Sequence, residues 1–406
     1  YRIEAGSFGT LIQQLSLGGT KGVFDYQVSG FHEYSDGVSK AKQTNFGTNA
    51  LFDTDPYLNL GASGKFGISF IPGLRLGLEG GYRKYTVNYD AGSYQDGAYK
   101  EEGNDLSLRA RFDQAVLDVW KFKTAYDFHF GSNTFSSGFR HFGMFQNQIS
   151  LGWNSIDAGI DAYQESTSYV TNAVNAYGLG VSANYGFKAP QWFSATAGGR
   201  LDIHKEFGVF LTGRATAAFL APFGLKAHGS IGTGFKVPSL YQLYAAETYI
   251  VGNKKLKPEQ SFSLDAGLGY ILSNIFVVDA GVFRTEYSNL IDYTFAVPAG
   301  TYTNLSSVIA YGFEAEAKVT PVKELVFGVN YTYSVSEDQR ETNAAYKQLQ
   351  RQPKHKGGVF GNLRLFDRLE IHADLSLTGE AWDKSYGPGP FYITTDTTNA
   401  GYALVG

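Results

Sequence analysis

The feature that most limits what this chain can fold into is a strict two-residue alternation, held for longer than a globular strand lasts. Leu74, Leu76, Leu78, Gly80 and Tyr82 place apolar or small groups on one parity, while Arg75, Gly77, Glu79, Gly81 and Arg83 occupy the other. The split recurs at Leu369, Ile371, Ala373, Leu375 and Leu377 against Glu370, His372, Asp374, Ser376 and Thr378. Phe122, Tyr126, Phe128 and Phe130 oppose Lys123, Asp127 and His129, and Leu325, Phe327, Val329, Tyr331 and Tyr333 oppose Asn330, Thr332 and Ser334. A strand of a soluble sandwich also alternates, but it is about 5–6 residues long. These segments run to about 10 or more, the length of a tilted strand that crosses a bilayer.

Averaged over both faces, such strands are nearly neutral, which explains a mean hydropathy of −0.20. No apolar run approaches the ~18–20 residues of a transmembrane helix. Short turn signals separate pairs of strands: Gly18 to Gly22, Ile71-Pro72-Gly73, Lys188-Ala189-Pro190, Ala221 to Gly224, Ser273-Asn274, Thr320-Pro321-Val322 and Phe366-Asp367-Arg368. Between them lie longer polar stretches at 36–53, 89–104 and 334–350. Tight turns at one end and long loops at the other are the asymmetry of outer-membrane barrels. The pattern predicts roughly nineteen strands and the start of another within Ala400–Val405.

The chain has 49 glycines, 28 tyrosines and 31 phenylalanines among 406 residues, without the three-residue glycine period of collagen. Aromatics gather near strand ends, as at Tyr82, Tyr85 and Tyr89, where an interfacial girdle would put them. No Pro-rich, Ser-rich or charged linker divides residues 1–406, so they read as one β-barrel domain. A β-propeller also repeats every ~40–50 residues, but it needs four short strands per unit where this chain offers two long ones.

There is no cysteine, which removes disulfides, thiolate zinc sites and a cysteine nucleophile. With 34 basic and 38 acidic residues there is no basic face for nucleic acid. The seven histidines are scattered, without His-Glu-x-x-His spacing, and neither a Gly-x-Ser-x-Gly elbow nor a phosphate-binding glycine loop is present. No helix is clearly signalled. Carboxylates such as Asp127 and Asp161 fit a polar barrel interior, so an enzyme is not expected and no catalytic residue is assigned.

Gly232-Thr233-Gly234-Phe235-Lys236-Val237-Pro238-Ser239-Leu240-Tyr241-Gln242-Leu243-Tyr244 is followed by Gly252-Asn253-Lys254-Lys255-Leu256-Lys257-Pro258-Glu259-Gln260-Ser261. Tyr302-Thr303-Asn304, Tyr311-Gly312-Phe313-Glu314, Asn330-Tyr331-Thr332-Tyr333 and Arg351-Gln352-Pro353-Lys354-His355 come later. In order and spacing this half resembles the barrel portion of TonB-dependent outer-membrane receptors. The resemblance implies an all-β, transmembrane, antiparallel barrel of the twenty-two-stranded type in the bacterial outer membrane. It implies a fragment, with an N-terminal plug, its TonB-contact segment and the last strands outside these residues.

In the first quarter, Asp53-Thr54-Asp55-Pro56-Tyr57-Leu58 and Asn88-Tyr89-Asp90-Ala91 resemble the apical segments of cobalamin receptors, where aspartates of neighbouring strands hold calcium beneath the substrate. Spacing agrees: Asp36 closes the third predicted strand, Asp53 and Asp55 open the fourth and Asp90 closes the fifth. Neighbouring strands lie ~4.8 Å apart, so one rim would bring these carboxylates within reach of one or two ions. Calcium takes six to eight oxygens in loose geometry. Glu101 stands about where the family pattern has an aspartate, and it completes the expected calcium set. Tyr57, Tyr89 and Tyr94 offer aromatic faces with polar tips to a large ligand.

The expected function is therefore an active-transport receptor for cobalamin or a related corrinoid, with calcium-ordered apical loops, TonB as energy partner and lipid as surroundings. A receptor for a ferric siderophore or another metal chelate is the alternative within the family, and a passive porin the alternative outside it.

Overall fold

The computed structural model describes residues 1–39, 54–90, 99–169, 172–189, 192–273, 275–294, 296, 298–304, 307–342, 347–366, 368–386 and 394–406. Twenty strands form one antiparallel meander in which each pairs with the next. The first thirteen are β1 (Arg2–Gly6), β2 (Thr10–Lys21), β3 (Phe24–Ser35), β4 (Tyr57–Ile71), β5 (Leu74–Tyr89), β6 (Tyr99–Leu117), β7 (Trp120–Asn133), β8 (Ser136–Leu151), β9 (Asn154–Tyr169), β10 (Asn172–Ala189), β11 (Phe193–His204), β12 (Gly208–Leu220) and β13 (Leu225–Lys236). The meander continues through Glu259–Leu272, Phe276–Ser288, Ser307–Val322, Leu325–Asp338, His355–Leu365, Leu369–Thr378 and Tyr402–Val405. Among the described residues no ladder joins the first strand to the last, so the twenty strands form an open sheet, in line with the roughly nineteen strands and the start of another read from the sequence; no closed, twenty-two-stranded barrel is seen.

Registers preserve the parity read from the sequence. Leu78 opposes Phe66 on one side and Ala110 on the other, so apolar residues of three strands share a face. That face is open: Leu78 is 62% exposed, Leu211 77% and Val282 61%. In water this arrangement would waste ~25 cal/mol for each Å² of apolar surface left uncovered, whereas hydrocarbon is the solvent that suits it. The other face pairs charges across strands, with Arg83 opposite Asp105 and Arg109 opposite Asp127.

The tight turns fall where the ladder ends rather than at every glycine. Gly18 and Gly19 remain strand residues, opposite Gln27 and Tyr26, and the chain reverses at Gly22, whose φ is +60°. Pro321 sits in the last strand turn before Lys323-Glu324, where pairing skips from Val319–Phe327 to Val322–Leu325. A proline has no N–H to give to a ladder, and an irregularity of this kind is where a sheet accepts one. The loop expected at 89–104 is shorter than its polar composition implied, because β6 already begins at Tyr99.

Contrary to expectation, there is a helix: α1, Leu240–Tyr244. Ser239 caps it, accepting from Gln242 N at 3.1 Å, while Gln242 Oε1 accepts from Ser239 N at 2.9 Å. This reciprocal box satisfies two backbone donors that a helix start leaves unpaired. Leu240, Leu243, Ala245 and Leu256 are buried around the helix. With a small sheet of Ile250–Val251, Gly300–Asn304 and Ile291–Thr294, α1 forms a lobe at the long-loop end of the sheet, with its own apolar core.

Candidate functional site

The expected apical residues come from strand ends at one edge of the sheet. β3 stops at Ser35, β4 starts at Tyr57 and β5 stops at Tyr89, so Asp36, Asp55 and Asp90 lie on the same rim. Asp53 and Tyr94 lie outside the described residues. The chain leaving β3 runs against the chain entering β4: a Cβ on Gly37, at φ +67°, would overlap the carbonyl of Asp55. Asp55 is buried, 7% exposed. Ser39 Oγ donates to Asp90 Oδ2 at 3.1 Å and so ties the first loop to the end of β5.

The carboxylates do not all point together. Asp36 accepts the Tyr34 hydroxyl at 2.7 Å, on the parity of the apolar face. Glu101 opposes Val87, which opposes Tyr57, so Glu101 and Tyr57 share the charged face. There Tyr85 Oη donates to Glu101 at 3.1 Å and Tyr57 Oη to Glu33 at 2.9 Å. Tyr89 stacks on Tyr99 with centroids 5.8 Å apart. Among the described residues no group of three or more His, Asp or Glu side chains is arranged to hold a metal ion.

Deeper on the charged face, a hollow is lined by Lys65, Ser107, Arg109, Asp127, His129 and Arg140. Most cations here are neutralised: Arg109 is paired with Asp127, and Lys65 lies 3.9 Å from Glu79. The carboxylates Asp127 and Asp161 are each held by an arginine, so neither is poised for acid–base work. Arg140 is different. Among the described residues no carboxylate lies within salt-bridge distance of it, and its guanidinium stands 5.1 Å from the Tyr163 ring and 5.8 Å from the Phe142 ring. A cation close to aromatic rings is held by the ring quadrupoles while keeping its donors available.

The lobe is fastened by two asparagines whose roles the sequence reading missed. Asn253 Nδ2 donates to the Tyr302 carbonyl at 2.9 Å, and its Oδ1 accepts from Lys255 N at 2.9 Å. Asn304 accepts from Lys257 N at 2.9 Å and donates to the carbonyls of Lys257 and Asn289 at 2.9 and 2.7 Å. Buried Glu259 accepts from Ile291 N at 2.8 Å and meets Lys236 Nζ at 3.1 Å. The signal was present as Ser-x-x-Gln ahead of Leu243 and in the Asn253 and Asn304 motifs, but the motifs alone do not reveal which loops they join.

The twenty-strand meander thus has one apolar and one charged face, with a lobe at its long-loop end. The profile described as "TonB dependent receptor-like, beta-barrel" matches residues 4–406. The chain belongs to the TonB-dependent receptor family. Its iron-regulated relatives include the "Iron-regulated outer membrane virulence protein" of Vibrio cholerae, 25% identical over 287 residues, covering 63% of this chain and 44% of that protein. The chain thus spans less than half the length of this curated relative. Among solved structures, a mutant ferric enterobactin receptor of Pseudomonas aeruginosa superposes with TM-score 0.81 at 14% identity, over 98% of this chain and 69% of that one. The siderophore receptor PirA of Pseudomonas aeruginosa gives 0.75 at 16%, over 92% and 69%. The FrpB iron transporter of Neisseria meningitidis gives 0.77 at 12%, over 98% and 72%. At these identities the solved structures speak for the fold. The family and its relatives place the TonB-dependent receptor chain in the outer membrane, with its apolar face toward lipid and its charged face toward the lumen.

Proposed function

We propose that the intact protein captures a ferric siderophore or a related anionic metal chelate and imports it when TonB moves a plug held in the lumen. The family is one of transport receptors, and the reading assigns no catalytic group. The observation that carries it is Arg140: a lumenal cation with no carboxylate within salt-bridge distance among the described residues, lying close to the rings of Phe142 and Tyr163, suits an anionic ligand that is itself aromatic. The relatives named above for siderophores and iron regulation support the same choice. The test is calorimetric binding of ferric enterobactin to the full-length, plug-containing receptor in detergent, with Arg140→Ala beside it. Saturable binding that weakens about tenfold or more in the variant is expected. No binding, or equal binding by both, overturns this assignment.

A second reading rests on the common rim of Asp36, Asp55 and Asp90 and on the burial of Asp55. In it, calcium held by these residues with Asp53 and Glu101 orders the loops, and Tyr57, Tyr89 and Tyr94 contact cobalamin or another corrinoid. Cyanocobalamin titrated with calcium and then with chelator, on the receptor and on Asp53→Ala/Asp55→Ala, decides it. Binding that chelator and variant both weaken supports this reading; absence of binding with calcium present removes it.

A further inference from the structure

β12 and β13 pair only from Arg214–Gly232 to Leu220–Lys226, in their periplasmic halves. Beyond that point both strands remain intact. β12 stays paired to β11 as far as Gly208–His204, and β13 stays paired to Glu259–Leu272 as far as Lys236–Glu259. Gly208–Gly213 and Thr233–Lys236 therefore face each other across the wall without a ladder. The opening is spanned by Gly213 N donating to Thr233 Oγ1 at 3.0 Å, and by Phe210 stacked on Phe235 with centroids 4.4 Å apart and planes 11° from parallel.

Nothing in the sequence forbids the missing pairs. Continuing the register gives Gly213–Thr233, Thr212–Gly234, Leu211–Phe235 and Phe210–Lys236, and none of these residues is proline. Leu211 is opposite Leu201 on the apolar face, and Phe235 follows the parity of exposed Ile231. Zipping would thus exchange the partner of Phe235, from the Phe210 ring to the Leu211 side chain, which now stands 77% exposed. Backbone groups left without ladder partners favour closure, while the aromatic stack favours the parted state. The strand that would move leads through Val237-Pro238-Ser239 into α1, and α1 leans back against β9 and β10.

We propose that this seam is a two-position zipper in the receptor wall, with Phe235 as its switch, and that its closure shifts the α1 lobe relative to β9 and β10. The inference stands on the pairing of the strands and does not depend on which chelate is carried.

The test uses the full-length receptor in outer membranes and exploits a barrel segment with no cysteine. Phe210→Cys/Phe235→Cys reports the stacked position and Leu211→Cys/Phe235→Cys the zipped one under mild oxidation. On fully paired strands, Thr196→Cys/Thr216→Cys is the in-register control and Thr196→Cys/Ala217→Cys the shifted one. A zipper cross-links both seam pairs, while the control cross-links in its single register. Cross-linking of the stacked pair alone means a fixed notch, and of the zipped pair alone an ordinary continuous wall; either overturns the proposal. Heat-modifiable migration shows which variants are folded. In the unsubstituted protein, the seam-facing amide of Leu211 should exchange faster than the amides of Thr196–Arg200, and equal protection counts against the seam. Locking the two positions should give different protease cleavage of residues 237–258; identical patterns overturn the coupling to the lobe.

Discussion

The guanidinium of Arg200 lies across Gly180 and grips Asp161, with Nη1–Oδ1 at 2.6 Å and Nη2–Oδ2 at 2.9 Å. Gly180 is opposite Asp161 on one side and Asp202 on the other, and Nε of Arg200 also reaches Asp202 at 2.9 Å. A Cβ at Gly180 would overlap the guanidinium, so the glycine is the space that lets one arginine join two carboxylates across three strands. Gly180→Val should push Arg200 out and leave Asp161, whose side chain is 16% exposed, beside Asp202 with no cation between them. A partly buried pair broken this way costs about 1–3 kcal/mol. Urea unfolding of the receptor in detergent, followed by loss of the heat-modifiable band, measures it. Gly143→Val, at a position with open space around it, is the control and should cost less.

Parity made most of the wall legible, because a lipid-facing position and a lumenal one differ in residue type at every step. The first-quarter aspartates were likewise placed at one rim by strand order alone. What parity does not carry is where a ladder stops. Gly18-Gly19 and Gly22 look alike as letters, yet only Gly22 turns, since turning depends on the partner strand Phe24–Ser35. The β12–β13 seam was illegible for the same reason: Leu211 and Phe235 alternate correctly, and only the three-dimensional register shows them unpaired. Direction at a strand end was also hidden, so Asp36 joined Asp55 in the sequence while its carboxylate goes to Tyr34.

The assignment of faces predicts an asymmetry between neighbours. Leu78, 62% exposed on the apolar face of β5, meets hydrocarbon, so Leu78→Arg should cost about 2–4 kcal/mol if it sits near the bilayer midplane. Glu79, the next residue, is lumenal and only loosely paired with Lys65 at 3.9 Å, so Glu79→Gln should cost less than about 1 kcal/mol. Refolding titrations into lipid vesicles compare the two. Equal costs would mean that the faces are assigned wrongly.

Asn304 links three segments of the lobe through one side chain, and Asp at that position keeps the acceptor but loses the donor. Asn304→Ala strands Lys257 N together with the carbonyls of Lys257 and Asn289, and Asn304→Asp strands the two carbonyls alone, at about 1–3 kcal/mol for each group left unsatisfied. Both variants should keep the heat-resistant barrel, since Asn304 lies outside the twenty-strand meander. Protease cleavage within 237–258 and 289–304 should rise, by more in Asn304→Ala. A variant that loses the barrel instead would show that the lobe is not separately stabilised.

Tyr302 gives the lobe a pH dependence with a definite sign. Burial raises its phenol above the ordinary value, and Tyr293 and Glu247 push the same way. Tyr293 packs edge-on at 5.6 Å and Tyr241 at 6.2 Å. The neutral phenol is therefore favoured in the folded lobe, while an unfolded lobe releases the proton near pH 10. The stabilisation is complete below that pH and is lost as pH rises through the higher folded value. Protease resistance of 237–258 should fall as pH rises above about 10, through the raised folded value, in the wild-type receptor. Tyr302→Phe keeps the ring contacts and removes the proton, so its resistance should fall less over the same window. An unchanged profile in Tyr302→Phe would assign the loss to another group.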